Sequence, residues 1–317
     1  MNRREFLTKA GLTVSLAAMA GEAGLINVGC QSGGRRKATA TKPDFEVAID
    51  PRVPKVVLAR NEDHARALCS ALDAIGGIGR FVKKGERVLL KPNVAWDRVP
   101  EQAVNTNPVL VGEMTRLCIM AGAADVIATD YGAYNPQKTF SRSGIKNAVE
   151  KNGGRIIIPN DDDFLEADLK GKFITTWPVL RFTFEVDRLI NMPIAKHHGL
   201  VAGTASMKNF FGIIGGNRDS LHERLDQAIV DLAAYFKPTL TVIDATRVLM
   251  RNGPGGGSLD DVRICDSVIC ATDQVAADSR ASEFLGKSGR EISHVVLAAN
   301  QGLGEIDYRL AGYKELT

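Results

Sequence analysis

The feature that most constrains the fold is an alternation of short apolar, β-branched runs with segments of helical periodicity. Apolar runs occur at 55–59, 87–90 and 125–129, and the segment 62–75 between the first two has apolar residues at spacings of three and four. Strands separated by helices are typical of parallel pairing, because two parallel strands need a long crossover connection. The sequence therefore predicts an α/β fold of three layers, with a mostly parallel sheet and helices on both faces.

The same patterns predict the approximate bounds of the elements. Asn107 and Asp273 are natural N-caps for two of the helices. We expect residues 46–317 to form a single α/β domain, in which a subregion could begin near 160 unless the acidic triplet there is only a solvated turn. Helices are predicted over 62–75, 108–121, 141–152, 203–211, 221–235 and 274–285, and strands over 55–59, 87–90, 125–129, 155–158, 188–192, 239–243 and 267–271.

Residues 1–29 have the character of a targeting segment. Arg3 and Arg4 precede an apolar pair, and the mostly apolar stretch at 12–20 is too short to span a bilayer. The segment resembles a twin-arginine (Tat) signal, which implies export of the folded chain through the Tat translocon. An amphipathic N-terminal helix of the domain is the alternative.

The end of this leader has two interpretations. The small residues at 18–20 form a cleavage site after Ala20, whereas 27–30 resembles a lipobox in which Cys30 would be acylated. Residues 30–45, which contain many Ser, Gly, Thr and basic residues, are typical of a flexible tether. We therefore expect a periplasmic protein or a membrane-anchored lipoprotein whose only membrane contact is that anchor.

The net charge argues against nucleic acid as a partner, and the cysteine spacing argues against two kinds of metal site. The whole chain has a net charge of +3, but residues 1–42 carry +5 and residues 43–317 carry −2. The predicted domain therefore has no net attraction for nucleic acid. No C-x-x-C pair occurs in the sequence, so the cysteine spacing predicts neither an iron–sulfur cluster nor a zinc ribbon.

Polar side chains follow several of the predicted strands, where open α/β sheets place their ligands. Lysines, amides and glycines at these positions suit an anionic ligand, and titratable groups beside them suit acid–base catalysis. The candidate ligand-binding residues are Lys91, Asn93, Lys208, Asn209, Gly212 and Gly255, and the candidate catalytic residues are Lys196, His197, His198, Asp130 and Asp244. A divalent metal is an option, with His197, His198 and Asp244 as candidate ligands.

These candidates are expected to converge on one cleft, because parallel strands bring their carboxyl ends to a single edge. Lys91, Lys196 and Lys208 would repel one another there unless a carboxylate or a bound anion lies between them. The adjacent pair His197 and His198 lies in a predicted loop. If that segment is extended, its side chains point to opposite faces and only one of them reaches the cleft.

Six segments follow one another along the chain: Leu90–Asn93, Asn191–His198, Met207–Gly212, Val242–Asp244, Asn252–Gly255 and Asp273–Asp278. In this order they resemble the family called domain of unknown function 362. The resemblance runs from about Val56 to Gly304 and implies a bacterial and archaeal family without a settled activity. Some members carry a ferredoxin-type module, for which this chain lacks the cysteines. Lys196 is followed at once by His197, where relatives tend to have a spacer, so the corresponding histidine stays open.

Two functions are consistent with these observations. One is an exported enzyme that acts on an anionic small molecule through a Lys/His/Asn cleft, with or without a metal. The other is an envelope-located binding protein that holds such a ligand without catalysis. Titratable groups beside the cations favour the enzyme.

Overall fold

The structure is a computed structural model. In the residues that it describes, a sheet of ten strands forms the centre of the fold. The described residues are 42, 44–48 and 50–317. The predicted Tat signal, the candidate cleavage site after Ala20 and the candidate lipidation site Cys30 lie outside them. None of the helices in the described residues combines the length and apolar character needed to cross a bilayer.

In the first half of the described chain, strands and helices alternate as predicted. The helices are α1 (His64–Ala74), α2 (Ile78–Phe81), α3 (Pro108–Met120), α4 (Pro136–Arg142), α5 (Ile145–Lys151), α6 (Leu225–Phe236), α7 (Gln274–Ser282) and α8 (Ser293–Asn300). The strands are β1 (Val56–Arg60), β2 (Arg87–Pro92), β3 (Asp125–Ala128), β4 (Arg155–Ile156), β5 (Phe164–Asp168), β6 (Thr176–Leu180), β7 (Arg188–Met192), β8 (Ile194–His198), β9 (Ala202–Thr204), β10 (Leu240–Leu249), β11 (Val262–Ala271) and β12 (Tyr313–Leu316).

The strand order confirms a mostly parallel α/β sheet. Across the sheet the order is β12-β1-β11-β10-β7-β2-β3-β4, with β8 paired to β10 and β9 paired to β8. Neighbours pair in parallel except where β11 meets β1 and β10 and where β9 meets β8. The strands β5 and β6 form a separate antiparallel hairpin.

Alternating side chains of the strands bury both faces of the sheet, which confirms the three layers. In β2, Val88 and Leu90 pack with Leu68 of α1 and Met114 of α3 on one face. Leu89 points to the other face, in a core that includes Ile229 of α6. A strand with a period of two can be apolar throughout only when helices cover both of its faces.

Local sequence explains several of the helix N-termini. The Asn107 side chain accepts a hydrogen bond from the Val109 amide, and Asp273 accepts from the amides of Val275 and Ala276, as predicted for N-caps. The single helix predicted over 141–152 is wrong. It is interrupted at Gly144, whose φ of +76° favours glycine, and the chain forms α4 and α5 instead.

Three further predictions differ from the structure near the site. Residues 203–211 are not a helix: the chain forms β9 and then a 3-10 helix over Met207–Ile213. The helix predicted over 221–235 begins at Leu225, after another 3-10 segment. The predicted loop at 196–198 belongs to β8. The acidic triplet at 161–163 is a 3-10 turn before β5.

The sheet has a switch point between β2 and β7. The helix that follows β2 is α3, which packs beside α1 on one face of the sheet. The 3-10 helix over Met207–Ile213 and α6, which follow β7 after the short strands β8 and β9, pack on the opposite face. Because the two connections leave in opposite directions, a crevice opens at the carboxyl ends of these strands. This is the edge at which the sequence predicts the candidate site.

Candidate functional site

A cleft of about 250 Å³ opens at this edge. Seven of the residues predicted from the sequence line it. They are Asn93, Asp130, Lys196, His198, Lys208, Asn209 and Gly212. They lie just after β2 and β3, in β8 and in the 3-10 helix that follows β9, so the fold brings together groups that are far apart in the sequence.

Beneath the cleft lies a buried ion pair. Lys91 is fully buried, and its Nζ lies 2.8 Å from Asp130 Oδ1. The same Nζ donates to Asn209 Oδ1 at 3.1 Å and to the Pro92 carbonyl at 2.8 Å. Three oxygen atoms thus lie within 3.1 Å of Nζ, two of them as hydrogen-bond acceptors and Asp130 Oδ1 as the partner in the ion pair. Lys91 was predicted to bind the ligand, but the structure places it under the cleft.

The carboxylate of Asp130 is held from two sides. Its Oδ2 accepts a hydrogen bond of 2.6 Å from the Val94 amide, while Oδ1 faces Lys91. Burial lowers the pKa of Lys91, and the Asp130 carboxylate opposes that shift. The carboxylate therefore offsets part of the cost of burying the Lys91 amine.

Three asparagines connect the strand ends to the 3-10 helix. Asn209 Nδ2 donates to the Lys91 carbonyl at 2.9 Å and to Asn191 Oδ1 at 2.8 Å. Asn93 Nδ2 donates to Asn209 Oδ1 at 3.1 Å. The buried amides therefore satisfy one another, which fixes the 3-10 helix against β2 and β7.

The period of two in β8 separates its neighbouring side chains. Lys196 and His198 both line the cleft, while His197 lies between them and points away. The Gly253 amide donates to His197 Nδ1 at 3.2 Å, so His197 supports the glycine-rich loop instead. The structure thus brings one of the two adjacent histidines to the cleft, as an extended segment requires.

Lys196 has no carboxylate at ion-pair distance among the described residues. Its Nζ donates to Asn93 Oδ1 at 3.0 Å and to the Val104 carbonyl at 2.6 Å. Burial lowers the pKa of Lys196 to about 7, and the nearby charges of Lys208 and Lys91 add to this effect, which Asp130 opposes. A substantial fraction of this amine is therefore neutral at pH 7.

Lys208 carries the most accessible charge of the three lysines. It makes no hydrogen bond or ion pair with the described residues, and its Nζ lies 4.7 Å from the centroid of the Phe211 ring. Burial and the charge of Arg218 lower the pKa of Lys208 to about 8. Its ammonium group is thus available to a ligand.

His198 is a neutral group at physiological pH. Burial, and next the positive charge of Lys208 and Lys196, lower its pKa to about 3. Because its Nδ1 accepts from the Leu200 amide at 3.2 Å, the remaining proton belongs on Nε2. His198 can therefore donate a hydrogen bond to a ligand but is a poor base.

Besides Lys91 and His197, two more predicted residues lie outside the cleft. Asp244 accepts from the Asn107 amide at 2.8 Å and from the Thr246 hydroxyl at 2.7 Å, and burial raises its pKa. Gly255 packs against the ring of Trp96 at the rim. The metal candidates His197, His198 and Asp244 do not come together. Within the described residues, no group of three or more His, Cys, Asp or Glu side chains is arranged to hold a metal ion.

Sequence reasoning did not identify Arg218 and the aromatic rim. Arg218 donates to the Tyr131 carbonyl at 2.6 Å and to the Phe211 carbonyl at 3.1 Å, and it lies over the Tyr131 ring. Trp96 and His222 also line the cleft. The glycines before Arg218 were a weak signal, but nothing local indicates that one of its partners, Tyr131, lies 87 positions upstream.

A second buried carboxylate supports the site from behind. Asp278 of α7 accepts from the amides of Ser206 at 2.6 Å and of Met207 at 3.0 Å, at the start of the 3-10 helix that carries Lys208. Burial raises the pKa of Asp278 to about 6. Asp278 therefore positions this helix.

The family comparison covers most of this site. Residues 88–283 match the model of the family described as domain of unknown function 362. A curated relative, the thylakoid-associated protein sll1697 of Synechocystis sp., is 27% identical over 79% of this chain and 80% of its own length. All of the cleft residues named above lie within the matched range.

Two solved structures show a looser likeness. The lactate racemase apoprotein from Thermoanaerobacterium thermosaccharolyticum has 11% identity and a TM-score of 0.45, covering 75% of this chain and 58% of that one. A crystal structure of a Thermotoga maritima protein has 12% identity and a TM-score of 0.40, covering 72% of this chain and 60% of that one. This chain covers less than two thirds of either, so the fold assignment rests on the strand pairing described above.

The contact between Gly212 and the ion pair gives a testable prediction. A Cβ at Gly212 would overlap Asp130 Oδ1 and lie 2.8 Å from Lys91 Nζ. We expect Gly212→Ala to lower the free energy of unfolding by about 1–3 kcal/mol in urea denaturation, because the buried pair must shift. Gly79→Ala in α2 is the control, since a Cβ there meets no atom within 4 Å. Equal effects of the two substitutions would contradict this account.

Proposed function

This chain belongs to the domain of unknown function 362 family, and we propose that it is an enzyme that acts on an anionic small molecule in the cleft at the β2–β7 crevice. Lys208 and Arg218 would hold the anionic group. Lys196 would supply a titratable amine, and His198 a hydrogen-bond donor. A cleft of about 250 Å³ suits a small substrate.

Uncompensated positive charge is the observation that carries this proposal. Lys196, Lys208 and Arg218 all line the cleft, and none of them forms an ion pair with the described residues. Two carboxylates line the cleft: Asp130, at its base, is already paired with Lys91, and Asp219 forms no ion pair with any of these three cations. Cations this close together repel one another unless an anion lies between them, so a bound anion would stabilise the cleft.

The lowered pKa of Lys196 favours an enzyme over a binding protein. A protein that only holds an anion gains most from lysines that stay protonated. An acid–base or nucleophilic group works best with a pKa near the working pH, and the pKa of Lys196 is about 7. A non-catalytic binding protein at the cell envelope is the second candidate, and it predicts binding of the same anions without chemistry at Lys196.

Sulfate is a suitable probe of the anion site, because its charge does not change across the neutral range. We expect Lys208→Met to weaken sulfate binding by about 10-fold to 100-fold in calorimetry, as loss of a charge-assisted hydrogen bond of about 1.5–3 kcal/mol implies. The wild-type affinity should fall as the pH rises from 6 to 9. Lys196 and Lys208, with pKa values of about 7 and about 8, lose their protons over that range.

Lys146→Met is the matched control for this experiment. Lys146 lies on the exposed side of α5, where it pairs with Glu150 at 3.7 Å, so its removal leaves the charge of the cleft unchanged. We expect wild-type sulfate affinity in this variant. Equal sulfate affinities for wild type and Lys208→Met, or an affinity that rises with pH, would overturn the anion site.

Export remains a proposal from the sequence alone. The twin arginines, the short apolar stretch and the lipobox-like segment all lie outside the described residues. We propose that the chain crosses the membrane through the Tat translocon. Its destination would be the periplasm or a lipid anchor at Cys30.

Cell fractionation tests both parts of this proposal. Replacing Arg3 and Arg4 together with Lys should leave uncleaved precursor in the cytoplasm, because the Tat signal depends on the arginine pair. Cys30→Ala should move the exported protein from the membrane fraction to the soluble periplasmic fraction. Normal export of the double-lysine variant would overturn the Tat assignment, and membrane retention of Cys30→Ala would overturn the anchor.

A further inference from the structure

Two lysines of the same network are held in different ways, and the difference concerns the oxygen atoms around each amine. Lys91 Nζ has two hydrogen-bond acceptors and, as a third neighbour, the Asp130 carboxylate with which it forms an ion pair. Lys196 Nζ has two, Asn93 Oδ1 and the Val104 carbonyl, and neither carries a charge. A neutral primary amine has two protons and one lone pair. The contacts of Lys196 therefore use both protons of a neutral amine and leave its third tetrahedral position without a partner among the described residues.

The surroundings of Lys196 also favour the neutral amine. Its side chain is almost fully buried, 4% exposed, yet it lines the cleft. The charges of Lys208 and Lys91 disfavour a third positive charge, and Asp130, the carboxylate that opposes them, is already bound to Lys91. A desolvated lysine beside another cation is a known arrangement for an amine nucleophile.

From this geometry we propose that Lys196 is a nucleophile that forms an imine with the carbonyl carbon of a 2-oxo carboxylate. The inference rests on the proposed anion site and names its substrate class. Lys208 and Arg218 would hold the carboxylate, which lies next to the reacting carbonyl in such a compound. His198, through Nε2–H, is the donor available to the carbonyl oxygen. The rings of Trp96 and Phe211 provide an apolar wall for the remaining substituent.

The step balances without an oxidant or reductant. The lone pair of Lys196 Nζ attacks the carbonyl carbon, and the electron pair of the C=O bond moves to oxygen, which takes up the proton that the nitrogen releases. A second proton, supplied by solvent, then lets the carbinolamine lose this oxygen as water. The products are one water and a protonated imine, whose positive nitrogen can accept electrons from a bond to the neighbouring carbon.

Borohydride trapping of the full-length protein tests the proposal. We expect protein incubated at pH 7 with pyruvate, 2-oxoglutarate or phenylpyruvate and then reduced with borohydride to gain the mass of one reduced adduct with at least one of them. Peptide mapping should place the adduct at Lys196. An ordinary lysine is almost fully protonated at that pH and reacts slowly. Acetone, which has the carbonyl but no carboxylate, should give less than one tenth of the labelling.

Variants separate this proposal from the anion site. Lys196→Met should give no adduct, and Lys208→Met should need about 10-fold or more pyruvate for the same labelling. If Lys196→Met does not fold, the mapped position of the wild-type adduct still decides the matter. Lys208-dependent binding of the 2-oxo carboxylates without any adduct would overturn the imine and leave the anion site standing. An adduct only at other lysines would also overturn the imine. Absence of both binding and adduct would overturn both proposals.

Discussion

The buried ion pair between Lys91 and Asp130 is the interaction on which the rest of the site depends. It joins the end of β2 to the second residue after β3, with 2.8 Å between Nζ and Oδ1. Burying two charges is unfavourable unless the remaining hydrogen-bonding positions are also filled, and here Asn209, Pro92 and Val94 fill them. The pair therefore fixes the position of the 3-10 helix. It also leaves no room for a side chain at residue 212, which is a glycine.

The same pair determines the electrostatics of the cleft. Because Asp130 is committed to Lys91, it only partly compensates the charges of Lys196 and Lys208 above it. Burial without a carboxylate lowers the pKa of Lys196 to about 7 and that of Lys208 to about 8. One lysine is thus a fixed part of the structure, and the other two are sensitive to pH and ligands. This division supports the proposed anion binding and amine chemistry.

The sequence predicts the layer architecture and much of the cleft because both follow from local rules. Apolar runs give the strands, and parallel strands place Asn93 and Asp130 at one edge. The period of two explains why Lys196 and His198 share a face that His197 does not.

The remaining features depend on distant partners. The β5–β6 hairpin, the 3-10 helix at 207–213 and the position of Arg218 are set by contacts that no local pattern reveals. The Asp278 carboxylate, for example, holds the start of that 3-10 helix from 71 positions away, where local periodicity predicts an ordinary helix. Lys91 was likewise predicted to contact the ligand. Its burial depends on Asp130 and Asn209, which are distant in the sequence, so no local pattern reveals it.

A double-mutant cycle on the ion pair tests the central claim most directly. The free energy of unfolding would be measured for wild type, Lys91→Met, Asp130→Asn and the double variant. Removing one partner leaves the other charge buried and should cost about 3–5 kcal/mol. The double variant should be more stable than the sum of the single effects implies, by about 1–3 kcal/mol. Additivity within about 0.5 kcal/mol would contradict the account, since it would mean that the two groups do not support each other.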